Sequence, residues 1–535
     1  MSTLILYNGP IYTRDPQLPV VRAIAIRAGH IVALGSEGHV QAATASAGRS
    51  EGINLKGRAV LPGLTDAHVH INYQGMASQE VRLGGASSIA EAVGRVADRA
   101  RSLAPGVWLR GSGWDHSAWG GQWPTCSDLD VVCPRNPAIF TRKDGHSIWV
   151  NSAALALAGI GDAISDPVGG HIQRDRSGVA TGIFLENAME LIRAVVPPPR
   201  PEERHAALRI ALREALSYGI TSLHIPPGIR PSDGSEILAD LQTLRGQGDL
   251  NVRCLAHISA GDLEAAIALG LHSGLGDSVL RVGGLKIFAD GSLGSESAEM
   301  LSHYEGRRHL GIATIEREVL NAMVARANTN GISVVIHAIG DAANRKVLDA
   351  IELARGDGDP PILAMPNRIE HCQVLHPKDI ARFAALGVVA SMQPIHCTSD
   401  MSSADELWGE RSAHAYAWRE LRDSGATLAF GSDAPVETMN PWPGIHAAVT
   451  RQRPDGYPVG GWYPEQRLTV GEVIDAYCIG PAIASGEAGQ KGRLAPGMLA
   501  DLAVLTGDPF HSTPSELHAI TAAMTLVGGK VVFER

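Results

Sequence analysis

Apolar strand-like segments that alternate with helix-like segments are the strongest constraint on the fold of this chain. Eight such segments can be read, at 60–66, 220–225, 252–258, 280–289, 333–338, 368–373, 388–392 and 427–432. Most of the later intervals have helical periodicity, as at 316–328, 343–354, 378–386 and 416–423. Continuous apolar strands indicate a parallel sheet covered by helices on both faces, and eight strand and helix units close into a barrel. The sequence therefore predicts an α/β protein built on a (β/α)8 TIM barrel.

Both ends of the chain have the pattern of short β-meanders. Strand-like runs occupy 4–7, 23–27, 30–34 and 53–55 near the start, and 501–505, 520–527 and 530–533 near the end. Short meanders expose edges and an apolar face that each could bury against the other. We predict one composite β-sandwich from residues 1–60 and 490–535, around a barrel at 61–489. Two independent caps are the alternative.

The interval between the first two barrel strands is far longer than a loop and a helix require. It predicts a large insertion at about residues 75–200, which contains five of the nine tryptophans, Trp108, Trp114, Trp119, Trp123 and Trp149. An aromatic insertion after the first strand would lie over the barrel mouth. We therefore expect Trp114, His146 and Trp149 to contact substrate. The alternative is that these residues pack only within the insertion.

Composition and missing motifs exclude several function classes. The 535 residues include 46 Lys plus Arg against 56 Asp plus Glu, a net charge of -10, which disfavours a nucleic-acid partner. The six cysteines form no C-x-x-C pair. No apolar run is long enough for a membrane span, and the first residues lack a signal-peptide pattern, so we expect a cytoplasmic protein. Walker A, H-E-x-x-H, G-x-S-x-G and G-x-G-x-x-G motifs are absent from the sequence.

Residue types that bind metals stand at the ends of four predicted strands. His68 and His70 close the first strand, His337 the fifth, His371 the sixth and Asp433 the eighth. An imidazole or carboxylate after apolar residues is costly unless it is paired or metal-bound, and strand ends of a barrel meet on one rim. Each residue alone is more often a satisfied buried polar group. Together they predict a divalent metal site, for which zinc, manganese, iron and cobalt all remain open.

Lys286 lies within the fourth predicted strand among apolar residues. Burial of a bare ammonium is expensive and lowers its pKa, which leaves a neutral amine able to react with carbon dioxide. The resulting carbamate is an anion with two oxygens that could bridge two cations. An ion pair between Lys286 and Asp290 is the alternative.

These motifs, taken in order, resemble the amidohydrolase superfamily, specifically its amidohydro-3 or YtcJ-like branch, which includes N-substituted formamide deformylase. The resemblance covers essentially the whole chain. It rests on segments at 8–9, 61–70, 113–115, 144–151, 286–295, 337–341, 368–371, 431–433 and 491–501.

The resemblance implies a metal-dependent hydrolase with two zinc ions. By it, His68 and His70 bind the first metal, and His337 and His371 bind the second. Carboxylated Lys286 bridges them, and Asp433 ligates the first metal and shuttles protons. The cations would acidify a shared water and polarise a carbonyl group.

Further polar residues are predicted near the same rim. His224 and His257 end the second and third strands, and His396 follows the seventh. Because six ligands already complete a binuclear set, we expect His224, His396 and Asp290 to contact substrate or to support the site.

The predicted reaction is hydrolysis of the C-N bond of an N-substituted or N-acyl amide, with a small-molecule substrate and no membrane partner. A cyclic amide, imide or lactone hydrolase is the alternative within the superfamily. Lys286 argues against a deaminase with one metal. A non-catalytic barrel scaffold is the hypothesis from another class. The sequence leaves the oligomeric state open, with a homodimer as the working expectation.

Overall fold

The computed structural model describes residues 2–45, 49–142, 147–161, 164–167, 170–186, 188–228, 234–356 and 362–535. The chain divides into two compact units. The first consists of Met1–Gln74 with Leu208–Arg535, and the second is Gly75–Ala207. Among the described residues, no helix combines the length and the apolar character needed to span a membrane.

The strands and α-helices of the described residues follow one another along the chain. The strands are β1 (Thr3–Tyr12), β2 (Val20–Arg27), β3 (His30–Gly35), β4 (Ser50–Asn54), β5 (Val60–Pro62), β6 (Leu64–Asp66), β7 (Val81–Arg82), β8 (Leu109–Trp114), β9 (Ala138–Arg142), β10 (Ser147–Val150), β11 (Gly170–Arg174), β12 (Ala180–Glu186), β13 (Ile220–Ile225), β14 (Arg253–Ser259), β15 (Leu280–Phe288), β16 (Val334–Ala338), β17 (Arg368–His371), β18 (Val389–Met392), β19 (Leu428–Phe430), β20 (Leu502–Leu505), β21 (Ala522–Val527) and β22 (Lys530–Glu534). The helices are α1 (Glu37–Thr44), α2 (Ile71–Gln79), α3 (Ile89–Ala100), α4 (Cys126–Asp130), α5 (Ser152–Leu157), α6 (Met189–Arg193), α7 (Pro201–Ser217), α8 (Glu236–Gly246), α9 (Leu263–Ala268), α10 (Arg317–Thr329), α11 (Asp341–Arg355), α12 (Pro377–Leu386), α13 (Pro394–Trp408), α14 (Trp418–Asp423), α15 (Pro441–Thr450) and α16 (Val470–Ala484).

The first unit contains the predicted TIM barrel. Its sheet has eight strands in the order β19-β18-β17-β16-β15-β14-β13-β6, and every neighbouring pair is parallel. The N–H of Ala67 donates to the carbonyl of Phe430 over 3.0 Å, which links the two end strands of this order. Leu285 and Ile336 alternate with Lys286 and His337 along their strands and so face the surrounding helices, where they are completely buried in one apolar cluster with Val324 and Leu348. The fold class predicted from the sequence is therefore confirmed.

The first predicted barrel strand is two strands in the structure. β5 pairs with β20, with Val504 opposite Val60, whereas β6 pairs with β13 in the barrel. The change of sheet occurs at Gly63, whose N–H donates to the carbonyl of Asp501 over 2.8 Å. A Cβ atom at Gly63 would lie 2.1 Å from the hydroxyl oxygen of Thr221. The expectation of one strand from 60 to 66 was wrong, because this glycine lets the backbone pass from one sheet to the other at close contact.

The two ends of the chain form one sheet with the order β22-β21-β20-β5-β1-β2-β3, in which β4 also pairs with β1. Side chains from both ends share one apolar cluster, which includes Leu6, Ile24, Leu502 and Leu526. Thus the N-terminal and C-terminal meanders are not independent of each other, and β5 joins them.

The second unit contains a six-stranded sheet with the order β11-β12-β10-β9-β8-β7. Trp114 and Trp149 are completely buried in its apolar cluster together with Phe140. The indole N–H of Trp114 donates to the carbonyl of Phe140 over 2.8 Å, and that of Trp149 donates to the carbonyl of Thr125 over 2.7 Å. Because neither ring is exposed and both N–H groups are satisfied, this placement favours packing within the insertion over contact with substrate.

Candidate metal centre

The structure brings the six predicted ligand residues to one end of the barrel. His68 and His70 follow β6, Lys286 lies in β15, His337 in β16, His371 ends β17, and Asp433 follows β19. Five of them are at least nine-tenths buried, and the side chain of His337 is 13% exposed. Such burial of imidazole and carboxylate groups requires partners.

His68, His70 and Asp433 form the first cluster. One oxygen of Asp433 lies 3.5 Å from Nε2 of His68 and 3.2 Å from Nε2 of His70. One donor atom from each residue lies within 4.8 Å of the others. Among the described residues, Nε2 of His68 and Nδ1 of His70 have no hydrogen-bond partner. The orphaned Nε2 atom of His68 beside the carboxylate of Asp433, with the His70 imidazole next to it, is a donor set that suits a divalent transition metal.

His371 and His337 lie beside this cluster. Their ring centroids are 4.5 Å apart, and the rings of His371 and His68 are 5.1 Å apart. The carbonyl of Gly291 lies 2.9 Å from Nε2 of His337, and the amide oxygen of Gln393 lies 2.9 Å from Nδ1 of His371. Because these oxygens only accept hydrogen bonds, the opposite nitrogens are left as electron-pair donors.

The charge states of the histidines suit metal binding. Burial lowers the pKa of His68 to about 4 and that of His337 to about 3. Burial also holds the pKa of His371 well below its ordinary value, with the neighbouring His337 acting in the same direction. All three rings are therefore neutral at pH 7, the form that coordinates a cation.

Asp433 is the anion of the centre. Burial opposes its ionisation, but hydrogen bonds from His396 and His70 hold the pKa of this carboxyl well below its usual range. Its backbone adopts a left-handed conformation with φ of 60°, which is uncommon for a residue other than glycine. The N–H of Asp433 donates to the carbonyl of His68 over 2.7 Å, so the two ligand loops fix each other.

Lys286 is 2% exposed, and burial lowers its pKa to about 8. Its Nζ atom lies 4.7 Å from the centre of the Phe288 ring. Asp290 does not serve it, because that carboxylate accepts hydrogen bonds from the N–H groups of Ile339, Gly340 and Glu299. The alternative interpretation of Lys286 was an ion pair with Asp290, and the structure has no such ion pair among the described residues.

The remaining predicted site residues have different surroundings. His396 lies 3.2 Å from Asp433 and forms a second possible ligand group with His371 and Asp433, which brings it closer to the metal centre than predicted. His224 is completely buried and its Nδ1 lies 2.9 Å from the guanidinium of Arg368. Asp290 is also buried, and its carboxylate accepts the backbone hydrogen bonds named above. His146 lies outside the described residues.

Three supporting residues escaped the sequence analysis. Asp66 accepts hydrogen bonds from the N–H groups of His68 and Ser432, and thereby joins the two ligand loops. Arg368 and Glu370 belong to β17, and inside the barrel their side chains contact the carbonyl of Ala67 and the ring of His68, respectively. The signal was present in the sequence, because charged residues at alternate positions of a buried strand need partners across the barrel.

A family model described as "Amidohydrolase family", of the amidohydro-3 type, matches residues 51–533. The chain belongs to the amidohydrolase family. The resemblance read from the sequence is thus confirmed.

Several proteins are similar to this amidohydrolase over nearly their full length. "Protein LONG AFTER FAR-RED 3" of Arabidopsis thaliana is 35% identical over 100% of this chain and 92% of its own. "Putative amidohydrolase YtcJ" of Bacillus subtilis is 32% identical over 99% of both chains. "N-substituted formamide deformylase" of Arthrobacter pascens is 28% identical over 100% of this chain and 99% of its own.

A solved structure has the same fold. It is an uncharacterized metal-dependent hydrolase from Pyrococcus horikoshii, with a TM-score of 0.79 and 28% identity, and the match covers 96% of this chain and 100% of that chain.

Zinc should stabilise the metal-free amidohydrolase in proportion to the logarithm of its concentration. A ligand that binds only the folded state contributes about 2.7 kcal/mol at 100 times its Kd. The measurement is the thermal midpoint across a zinc titration after removal of metal by a chelator. The double variant His68→Asn, His70→Asn should lose most of this shift. The matched double variant His30→Asn, His511→Asn, which removes two exposed imidazoles, should keep it; equal shifts in both would contradict the assignment.

Proposed function

We propose that this amidohydrolase hydrolyses the C-N bond of an N-substituted or N-acyl amide with the help of bound zinc. The main observation behind this proposal is that the neutral rings of His68 and His371 converge on an ionised Asp433 at the rim of the barrel. The similarity to an N-substituted formamide deformylase and to a metal-dependent hydrolase supports the choice of reaction.

Two cation positions fit the residues present. His68, His70 and Asp433 would hold one cation, and His337 with His371 would hold the other. Imidazole and carboxylate ligands suit zinc. Bound cations of this kind acidify water and polarise a carbonyl oxygen.

Asp433 is proposed to move the proton. As an ionised carboxylate it can accept a proton from the attacking water and then return it to the nitrogen that leaves. His396, 3.2 Å from its second oxygen, holds the carboxylate in place while the reaction proceeds.

Lys286 is proposed to join the two cation positions as a carbamate. Its pKa of about 8 leaves part of the amine neutral near pH 7. The neutral amine attacks carbon dioxide and loses one proton, which gives a carbamate anion with two oxygen donors. The surrounding histidines then face a negative group instead of a buried ammonium.

A panel of N-formyl amides, N-acetyl amides, cyclic imides and lactones tests the reaction class. Enzyme loaded with zinc should hydrolyse an open-chain amide, and chelation should abolish the activity. The measurement is release of amine and acid by chromatography. Hydrolysis restricted to cyclic imides or lactones would select the alternative reaction, and no hydrolysis by fully loaded enzyme would contradict the proposal.

Asp433→Asn should reduce kcat by about 10²-fold to 10⁴-fold, the usual contribution of a positioned acid and base. Asparagine tolerates the left-handed backbone at this position, so the fold should persist. Turnover and circular dichroism are measured together. Asp475→Asn is the matched control, because that carboxylate pairs with Arg14 over 2.7 Å outside the metal centre. A variant at 433 with wild-type kcat would remove the proton-transfer role.

Lys286→Ala should lose both activity and bound zinc, and short carboxylic acids should partly restore them by replacing the carbamate. Metal analysis and turnover across an acetate or propionate titration measure this. Lys346→Ala is the matched control, since this buried lysine pairs with Glu299 over 2.5 Å and should show no recovery that depends on acid. An unmodified Lys286 in a high-resolution map of fully metallated crystals would contradict carboxylation.

A further inference from the structure

Glu370 binds the ring of His68 on the side that faces away from Asp433. Its carboxylate is completely buried, and one oxygen lies 2.6 Å from Nδ1 of His68. Because an ionised carboxylate only accepts hydrogen bonds, Nδ1 carries the proton. The electron pair of His68 is then on Nε2, the atom that has no hydrogen-bond partner among the described residues.

Arg368 holds Glu370 in this position. It lies two residues earlier in β17, so both side chains point into the barrel. Its guanidinium pairs with Glu370 and also donates to the carbonyl of Ala67 over 2.5 Å. A third guanidinium contact, with Nδ1 of His224 at 2.9 Å, leaves little freedom for rotation. The Glu370 carboxylate is thus held by its neighbour in β17, and it contacts the ring of His68, which follows β6.

Three of the four candidate histidine ligands, His68, His337 and His371, have hydrogen-bond partners that differ in charge. His337 is bound by the backbone carbonyl of Gly291, and His371 by the neutral amide of Gln393. Of these three rings, only that of His68 has a carboxylate as its hydrogen-bond partner among the described residues, and this carboxylate lies opposite its orphaned Nε2 atom. A carboxylate on the opposite nitrogen orients a ligand ring and raises its basicity more than a neutral acceptor does.

We propose that Glu370, held by Arg368, is a positioning residue that presents Nε2 of His68 to the cation and sets the affinity of the position formed by His68, His70 and Asp433. The inference rests on the proposed function, because it requires that a cation bind there. It assigns this position a stronger histidine donor than the position at His337 and His371.

The test compares zinc retention in wild-type enzyme, Glu370→Gln and a matched control. Glutamine keeps the shape of the side chain and removes its charge. Glu487→Gln is the control, because Glu487 is 4% exposed and pairs with Lys491 over 2.8 Å and with Arg281 over 3.2 Å. None of the contacts found among the described residues joins it to a histidine of the metal centre. Each zinc-loaded protein is dialysed against a series of chelator concentrations, and bound zinc is counted by mass spectrometry.

Glu370→Gln should lose zinc at about 10-fold to 100-fold lower chelator concentration than wild type. Glu487→Gln should lower the thermal midpoint and leave zinc retention unchanged. Equal retention by Glu370→Gln and wild type would overturn the inference. An equal loss in the Glu487→Gln control would also overturn it, since a general loss of stability would then explain the effect.

A second variant covers the case in which Glu370→Gln does not fold, because that change leaves the charge of Arg368 buried without its partner. The double variant Arg368→Gln, Glu370→Gln removes both charges and still deprives His68 of its carboxylate. It should show the same early loss of zinc, and wild-type retention would overturn the inference. A wild-type enzyme that binds no zinc would instead contradict the proposed function.

Discussion

The shared direction of the barrel strands is the constraint on which the candidate site depends. Because all eight strands are parallel, their carboxyl ends open onto one rim. Residues that are hundreds of positions apart, such as His68 and Asp433, come within 3.5 Å of each other for this reason alone. The apolar layer between the strands and the helices holds the strands in place, and the chemistry needs only the few residues near the strand ends.

Burial gives these residues their reactivity. In water the same histidines would be partly protonated near neutral pH and Lys286 would be a stable cation. Inside the barrel, burial disfavours each of these positive charges, while hydrogen bonds keep Asp433 ionised. The energetic cost of placing polar groups there is offset by specific partners, among them Glu370, Gln393 and Asp66.

The sequence predicted those features that have a local signature. Apolar runs located the barrel strands to within a few residues, and the histidines stood out because they end such runs. The division at Gly63 was missed because the sequence of the segment 60–66 does not reveal that its two halves pair with different sheets. The contact between His396 and Asp433, and that between Glu370 and His68, depend on side-chain directions across the barrel. Side-chain direction was also missing for Trp114 and Trp149. Composition alone does not tell whether a tryptophan packs in the core of an insertion or lines a pocket.

The passage of the backbone through Gly63 links distant parts of the first unit. β5 is held by β20 near the C-terminus, and only three residues of β6 separate Gly63 from the loop that carries His68 and His70. The last strands of the chain therefore hold the backbone next to the candidate metal centre, although they contribute none of its predicted ligands. A deletion or fusion that disturbs the carboxyl terminus would weaken the pairing of β20 with β5. It would thereby shift the loop of His68 and His70, which is only a few residues away.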